Sequence, residues 1–158
     1  MTRIAITGHR GLPAPTLALV ETALRDAVAG RSDDLVGVSC LADGPDSLFA
    51  DAVLDAGGRL EVVIPAHEYR ESLPVEHHCT YDRLLAAASS VTRLDFRESA
   101  PEAHQAASLR MLDDADELLA VWDGEPARGF GGTADAVAAA IRRGIPVARI
   151  WPLGAQRD

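Results

Sequence analysis

An α/β domain on a mostly parallel sheet is the fold class this sequence predicts, and three observations predict it. Short β-rich runs alternate with helix-periodic stretches along the chain, and glycines and prolines punctuate the changeovers. The length, 158 residues of which 47% are apolar, suits one continuous core. Together these imply a single Rossmann-like domain over 1–158, with a sheet of about six strands and crossover helices on both faces.

The strands read as Arg3 to Thr7, Leu35 to Cys40, Leu60 to Ile64, Val91 to Asp95, Glu117 to Trp122 and Pro146 to Trp151. Leu17, Val20, Leu24, Ala27 and Val28 recur at helical spacing, as do Leu48, Phe49, Ala52, Val53 and Ala56, and later Ala134, Val137, Ala138 and Ile141. Each of these helices therefore has one apolar face to lay on the sheet. Asp46 suits the cap of the second helix, Gly57-Gly58 its end, and Gly144-Ile145-Pro146 the end of the last. From His67 to Asp82 every period breaks, which reads as an irregular excursion before a helix from about Tyr81 to Ala88.

A net charge of −9 repels polyanions, so no nucleic-acid partner is expected. A small phosphate is a different matter, because a helix N-terminus and a few arginines act locally, within a Debye length of about 8 Å. No apolar run reaches the roughly 18 to 20 residues of a membrane span, and the N-terminus enters a strand without a signal-peptide layout. Cys40 and Cys79 lack CxxC spacing. The expectation is a cytoplasmic protein with free thiols and no membrane partner.

In an open parallel sheet ligands bind beyond the carboxyl ends of the strands, so the loops there carry the functional reading. Three are rich in glycine: Thr7-Gly8-His9-Arg10-Gly11, Ala42-Asp43-Gly44-Pro45-Asp46-Ser47, and Asp123-Gly124 leading to Gly129-Phe130-Gly131-Gly132-Thr133. In the last, Gly131 and Gly132 let backbone N–H groups approach a phosphate while the Thr133 hydroxyl and the helix dipole add to the attraction; a tight turn with Thr133 as cap is the other use of the same residues. Arg10 suits a phosphate and His9 a base or sugar, although both residues suit a solvent-facing loop as well. Asp43 and Asp46 can accept from ribose hydroxyls, and Asp46 can instead cap its helix. Asp135 complements the last helix's dipole or orients a ribose or a water. Phe130 is the best placed ring for stacking on a base, while Tyr69, Tyr81 and Trp122 serve either stacking or packing.

Other chemistries find less support. The first loop fits neither GxGxxG nor GxxxxGK[ST], which disfavours kinase or GTPase chemistry. His77, His78 and Cys79 are adjacent and have no second ligand pair at a recognised spacing, so no metal is expected. No G-x-S-x-G elbow occurs.

Taken in order, Thr7-Gly8-His9-Arg10, Ala42-Asp43-Gly44-Pro45-Asp46, the run from Asp113 to Gly124, and Gly131-Gly132-Thr133-Ala134-Asp135 resemble the SLOG superfamily over nearly the whole chain. That group includes the lonely-guy phosphoribohydrolases, the lysine decarboxylase-like proteins, the molybdenum-cofactor carriers and the Rossmann-like domain of DNA-processing protein A. The resemblance implies a Rossmann-like fold, homodimers or higher homo-oligomers, and a nucleotide-type ligand at the glycine loop.

The hydrolase pattern PGGxGTxxE is departed from: Ala136 stands in the place of its glutamate, with Asp135 one residue early, and Ala107 in the place of its arginine. Cleaving a glycosidic bond needs a carboxylate near the reacting centre. The expectation is therefore a sensor or carrier of a nucleotide or related phosphorylated ligand, with no other cofactor assigned. Phosphoribohydrolysis or glycosyl transfer by Asp135 or Asp46 is the alternative, and a structural interaction module the second.

Overall fold

The strands form where β-branched and aliphatic residues run together: β1 (Thr2–Gly8), β2 (Leu35–Ser39), β3 (Arg59–Ala66), β4 (Ser90–Phe96), β5 (Glu117–Val121) and β6 (Val147–Ile150). In the computed structural model, which describes residues 1–31, 34–126 and 132–157, they make one six-stranded sheet ordered β4-β3-β2-β1-β5-β6. All five pairings are parallel. Ala5 at the centre pairs with Val38 on one side and Leu118 on the other.

Helices α1 (Ala14–Ala29), α2 (Pro45–Asp55), α3 (Tyr69–Ser72), α4 (His78–Ala87), α5 (Pro101–Leu112) and α6 (Thr133–Arg142) connect the strands. Strand alternation divides the core into two layers. Ile4, Ile6, Leu119 and Val121 pack with Val20, Leu24 and Val28 of α1 and Phe49 and Val53 of α2. On the other face Ala5, Val38, Leu118 and Ala120 meet Ala107 and Met111 of α5 and Val137 and Ala140 of α6. Each fully buried Ile, Leu or Val in these layers contributes about 1.5–3 kcal/mol.

Two expectations are corrected. The 67–82 segment is more regular than its sequence implies, with α3, a 3-10 turn (Val75–His77) and α4 already starting at His78. The imidazoles explain it: His77 Nε2 lies 3.0 Å from Leu41 O and joins the segment to the body, while His78 Nε2 lies 3.2 Å from Leu73 O and joins α4 to the turn after α3. Asp46 does not cap α2. Gly44, at φ +91° in the region that favours glycine, is the N-cap, with Pro45 opening the helix. Helix α5 has no counterpart in the sequence reading, because its buried positions Ala103 and Ala107 are too small to give a strong apolar period.

Gly8, the last residue of β1, sits against the start of α2. A Cβ there would lie 2.7 Å from Pro45 Cβ and 3.1 Å from Val121 Cβ, both short of ordinary contact. Gly8→Ala should therefore destabilise the protein by about 1–3 kcal/mol in urea unfolding. Gly30→Ala, at a site with open space around it and φ −73°, should be neutral or mildly stabilising. Equal effects of the two substitutions would refute the close approach.

Candidate functional site

The chain winds outward from β1 through β2 and β3 to β4, then crosses back to place β5 on the opposite side of β1. That reversal is the switch point at which open α/β sheets bind ligands. A cavity of 380 Å³ lies there. The end of β1 and its loop contribute Thr7, Gly8, His9 and Arg10; the loop after β2 contributes Cys40 and Ala42, and α2 Asp46; β3 and α3 contribute Pro65 and Tyr69; α5 contributes His104, Ser108 and Met111; Gly132, the N-cap of α6, and Thr133, its first residue, complete the lining on that side. Arg157 reaches it from beyond the last strand.

Of the residues singled out from sequence, Gly8, His9, Arg10, Asp46, Gly132 and Thr133 meet at this cavity. Asp43 stands beside it and accepts from Arg10 Nε at 2.9 Å and Nη2 at 2.7 Å, joining the first loop to the second. Asp123 supports the site from behind. Its backbone N–H donates to His9 Nε2 at 3.2 Å, and its Oδ2 lies 3.6 Å from Arg157 Nη1. Gly124, at φ +87°, lies against the Arg149 guanidinium, which donates to the carbonyls of Trp122 and Asp123. Asp135 sits in the first turn of α6 and is not among the cavity-lining residues. Gly129, Phe130 and Gly131 lie outside the described residues.

His9 is buried, with 6% of its surface exposed, and its ring stands edge-on to Trp151 with centroids 5.9 Å apart. It is a wall of the cavity and not a solvent-facing loop residue. Tyr69 and Tyr81 are likewise buried, in edge contact with each other, and Tyr69 also borders the cavity.

The second loop is held by a dense set of bonds. Leu41 is fully buried with φ +60°, a conformation that costs a β-carbon-bearing residue about 1–2 kcal/mol. Its N–H donates to Ser39 Oγ at 3.0 Å and its carbonyl faces His77 Nε2, which also lies 3.2 Å from Ser47 Oγ. Ser47 Oγ donates to Ala42 O at 2.7 Å. These side chains hold the turn that brings Asp46 into the cavity.

The electrostatics follow from burial. Desolvation pushes the Asp46 carboxyl up to about 7, against the opposing pull of the Ala42 N–H and Arg10, with Asp43 adding to the rise. Burial, with Asp46 nearby, also raises the Cys40 thiol, and burial raises the Tyr69 phenol. His104 is lowered by burial and by Arg10. Burial works to raise Asp123, yet the Glu125 N–H, His9 and Arg157 leave it lowered. Near neutral pH the cavity thus presents the arginines Arg10 and Arg157, a carboxyl close to half-protonated, and neutral thiol and phenol groups.

Sequence reasoning missed His104, Ser108 and Met111 with their helix. The signal was there in principle, since the three recur at the spacing of one helical face. Arg157 had none, because nothing in a basic residue after the last strand says where the chain returns. Among the described residues no group of three or more His, Cys, Asp or Glu side chains is placed to hold a metal, and no helix is long and apolar enough to cross a membrane.

No family model and no curated protein matches the sequence. Solved structures do match. DNA processing protein A from Streptococcus pneumoniae is similar over 94% of this chain and 50% of its own length, with 19% identity and a TM-score of 0.67. DNA processing protein A from Helicobacter pylori, described for its single-stranded DNA binding mode, is similar over 98% of this chain and 68% of its own, with 16% identity and a TM-score of 0.67. The molybdenum cofactor binding protein of the phototrophic bacterium Rippkaea orientalis covers 94% of this chain and 75% of its own, with 15% identity and a TM-score of 0.60. The chain spans half the length of the pneumococcal protein. The likeness shows the fold, a Rossmann-like α/β fold on a parallel sheet, which is the fold class the sequence predicts.

One expectation is overturned here. Excluding nucleic acid as a partner rested on net charge, and a protein sharing this fold over 98% of the chain binds single-stranded DNA. Mean charge sets the long-range field, whereas contact with a strand is made by the few groups that face it.

The buried carboxyl yields a pH signature. The unfolded chain releases the Asp46 proton near the ordinary value of 3.8, whereas the folded chain keeps it to about 7. Between those values the native state holds the extra proton, so this contribution is full below about pH 4 and is lost as pH rises toward 7. Asp46→Asn should therefore match the wild type in urea unfolding at pH 4 and exceed it at pH 8. Parallel stability curves for the two proteins would refute the assignment.

Proposed function

We propose that the switch-point cavity binds a nucleotide or nucleotide-derived phosphorylated ligand, and that the protein acts as its sensor or carrier. The observation that carries this reading is the meeting, in one cavity of 380 Å³, of Arg10, the N-terminus of α6 at Gly132 and Thr133, and the buried Asp46. A helix N-terminus and a guanidinium suit a phosphate. A carboxyl able to both donate and accept suits the polar edge of a base or a ribose. The volume lies at the small end of the roughly 300–1,000 Å³ range of small-molecule sites, which favours one nucleotide unit. A cofactor-binding protein and a DNA-binding protein share the fold, which supports ligand binding as its general use.

Binding without cleavage is the preferred reading because Ala136 and Ala107, in the places of the hydrolase glutamate and arginine, are 2% and 0% exposed and line no part of the cavity. One observation favours hydrolysis as the second reading. Asp46 brings a carboxyl with a raised pKa into the cavity, as an N-glycosidic general acid requires.

A thermal-shift panel of nucleoside monophosphates, cyclic nucleotides, ADP-ribose and a short single-stranded oligonucleotide tests this directly. A ligand at a hundred times its Kd adds about 2.7 kcal/mol, or roughly 5–10 °C in Tm for a chain of this size. Gly132→Glu should abolish the shift. Silence across the panel would overturn the reading, and free base released from AMP by the wild type but not by Asp46→Asn would replace it with the hydrolase.

A further inference from the structure

Beyond β6 the chain returns across the strand ends toward α1 and is fastened there. Thr16, 2% exposed in the first turn of α1, uses its hydroxyl twice: it donates to Gln156 O at 2.9 Å and accepts from Gln156 N at 2.9 Å. Trp151 lies against the edge of His9. This clip delivers Arg157 to the cavity wall, where its side chain is 20% exposed.

With four-fifths of its side chain covered, Arg157 is held against the cavity wall. Its ion-pair partner among the described residues is Asp123, at 3.6 Å, beyond good hydrogen-bond length. The pair balances charge and leaves N–H donors for an anion in the cavity. The topology then places this cation relative to Arg10. Arg10 is tied to Asp43 after β2, Arg157 to Asp123 after β5, and β2 and β5 flank β1. The two guanidinia therefore bracket the end of β1 at Gly8, where Gly132 and Thr133 bring the start of α6.

Resting on the reading of this cavity as a phosphate site, we infer that the C-terminal segment is a strap clipped to Thr16, and that its Arg157 is a ligand-binding residue making the site selective for a terminal phosphate. A phosphomonoester carries close to two negative charges and three acceptor oxygens, enough to engage two guanidinia and a helix N-terminus together. The phosphodiester of a polynucleotide, with one charge and two free oxygens, engages the three more weakly.

Calorimetric titration of the whole chain with AMP, inorganic phosphate, adenosine and an oligonucleotide lacking terminal phosphates tests the strap, using Arg157→Gln, Arg157→Lys and Thr16→Val. Arg157→Gln should weaken AMP and phosphate roughly 10- to 100-fold, with adenosine unchanged. Arg157→Lys should recover part of the loss. Thr16→Val, which keeps the cation and frees the strap, should cost roughly 3- to 10-fold. Melts without ligand show whether each variant folds; if Arg157→Gln does not, the phosphate-to-adenosine ratio in the other two decides.

AMP binding equally to wild type and Arg157→Gln would overturn the strap and leave the nucleotide site standing. Arg157-dependent binding of phosphate without any of AMP would keep the strap and remove the nucleotide reading. No binding of either would overturn both, and an oligonucleotide as sensitive to Arg157→Gln as AMP would overturn the selectivity.

Discussion

The approach of Pro45 to Gly8 is the constraint on which the site depends. Without a side chain at the end of β1, the start of α2 seats directly on the central strand, and the turn between Leu41 and Gly44 must bend sharply to reach it. The positive φ of Leu41 and Gly44 is the conformational cost of that bend. It is offset by Ser39, Ser47 and His77, whose side chains bond the turn from three directions. Asp46 enters the cavity because α2 begins where it does, so the carboxyl's position is a consequence of backbone packing.

That arrangement separates two roles that the loop sequence runs together. Asp43 and Asp46 are three residues apart, yet one is a surface partner of Arg10 and the other a buried acid with its proton held toward neutrality. The difference lies wholly in surroundings. Asp43 is bonded directly to a guanidinium, whereas buried Asp46 has one backbone N–H, at 3.3 Å, and the more distant pull of Arg10 to set against desolvation. Likewise His9 and Arg10 are adjacent and part company: the imidazole turns inward against Trp151 and Asp123, and the guanidinium turns toward the second loop.

Much of the fold was legible because its strands are apolar runs and α1 and α2 carry large aliphatic side chains at the period of their buried faces; in α6 the expected face is corrected, since Ala138 and Ile141 are exposed and Ala136, Val137 and Ala140 are buried instead. What stayed hidden has a common cause, since the missing information lies in contacts between distant segments. Helix α5 is built on alanines whose packing becomes apparent only against the sheet. His77 and His78 look like breaks in a pattern until Leu41 and Leu73 offer their carbonyls. The site was half legible: glycine loops at strand ends mark a ligand edge by local chemistry, while Tyr69, His104 and Arg157 arrive from elements whose return to that edge no local spacing records.

The edge contact between Trp151 and His9 has a use of its own. The chain has two tryptophans, Trp151 and Trp122, and the indole of Trp122 donates to Glu125 O beside Asp123. Both fluorophores therefore stand at the same corner of the molecule, and one touches the imidazole that walls the cavity. The intrinsic fluorescence of this protein is a local signal from the rim of its cavity, an optical label already in place.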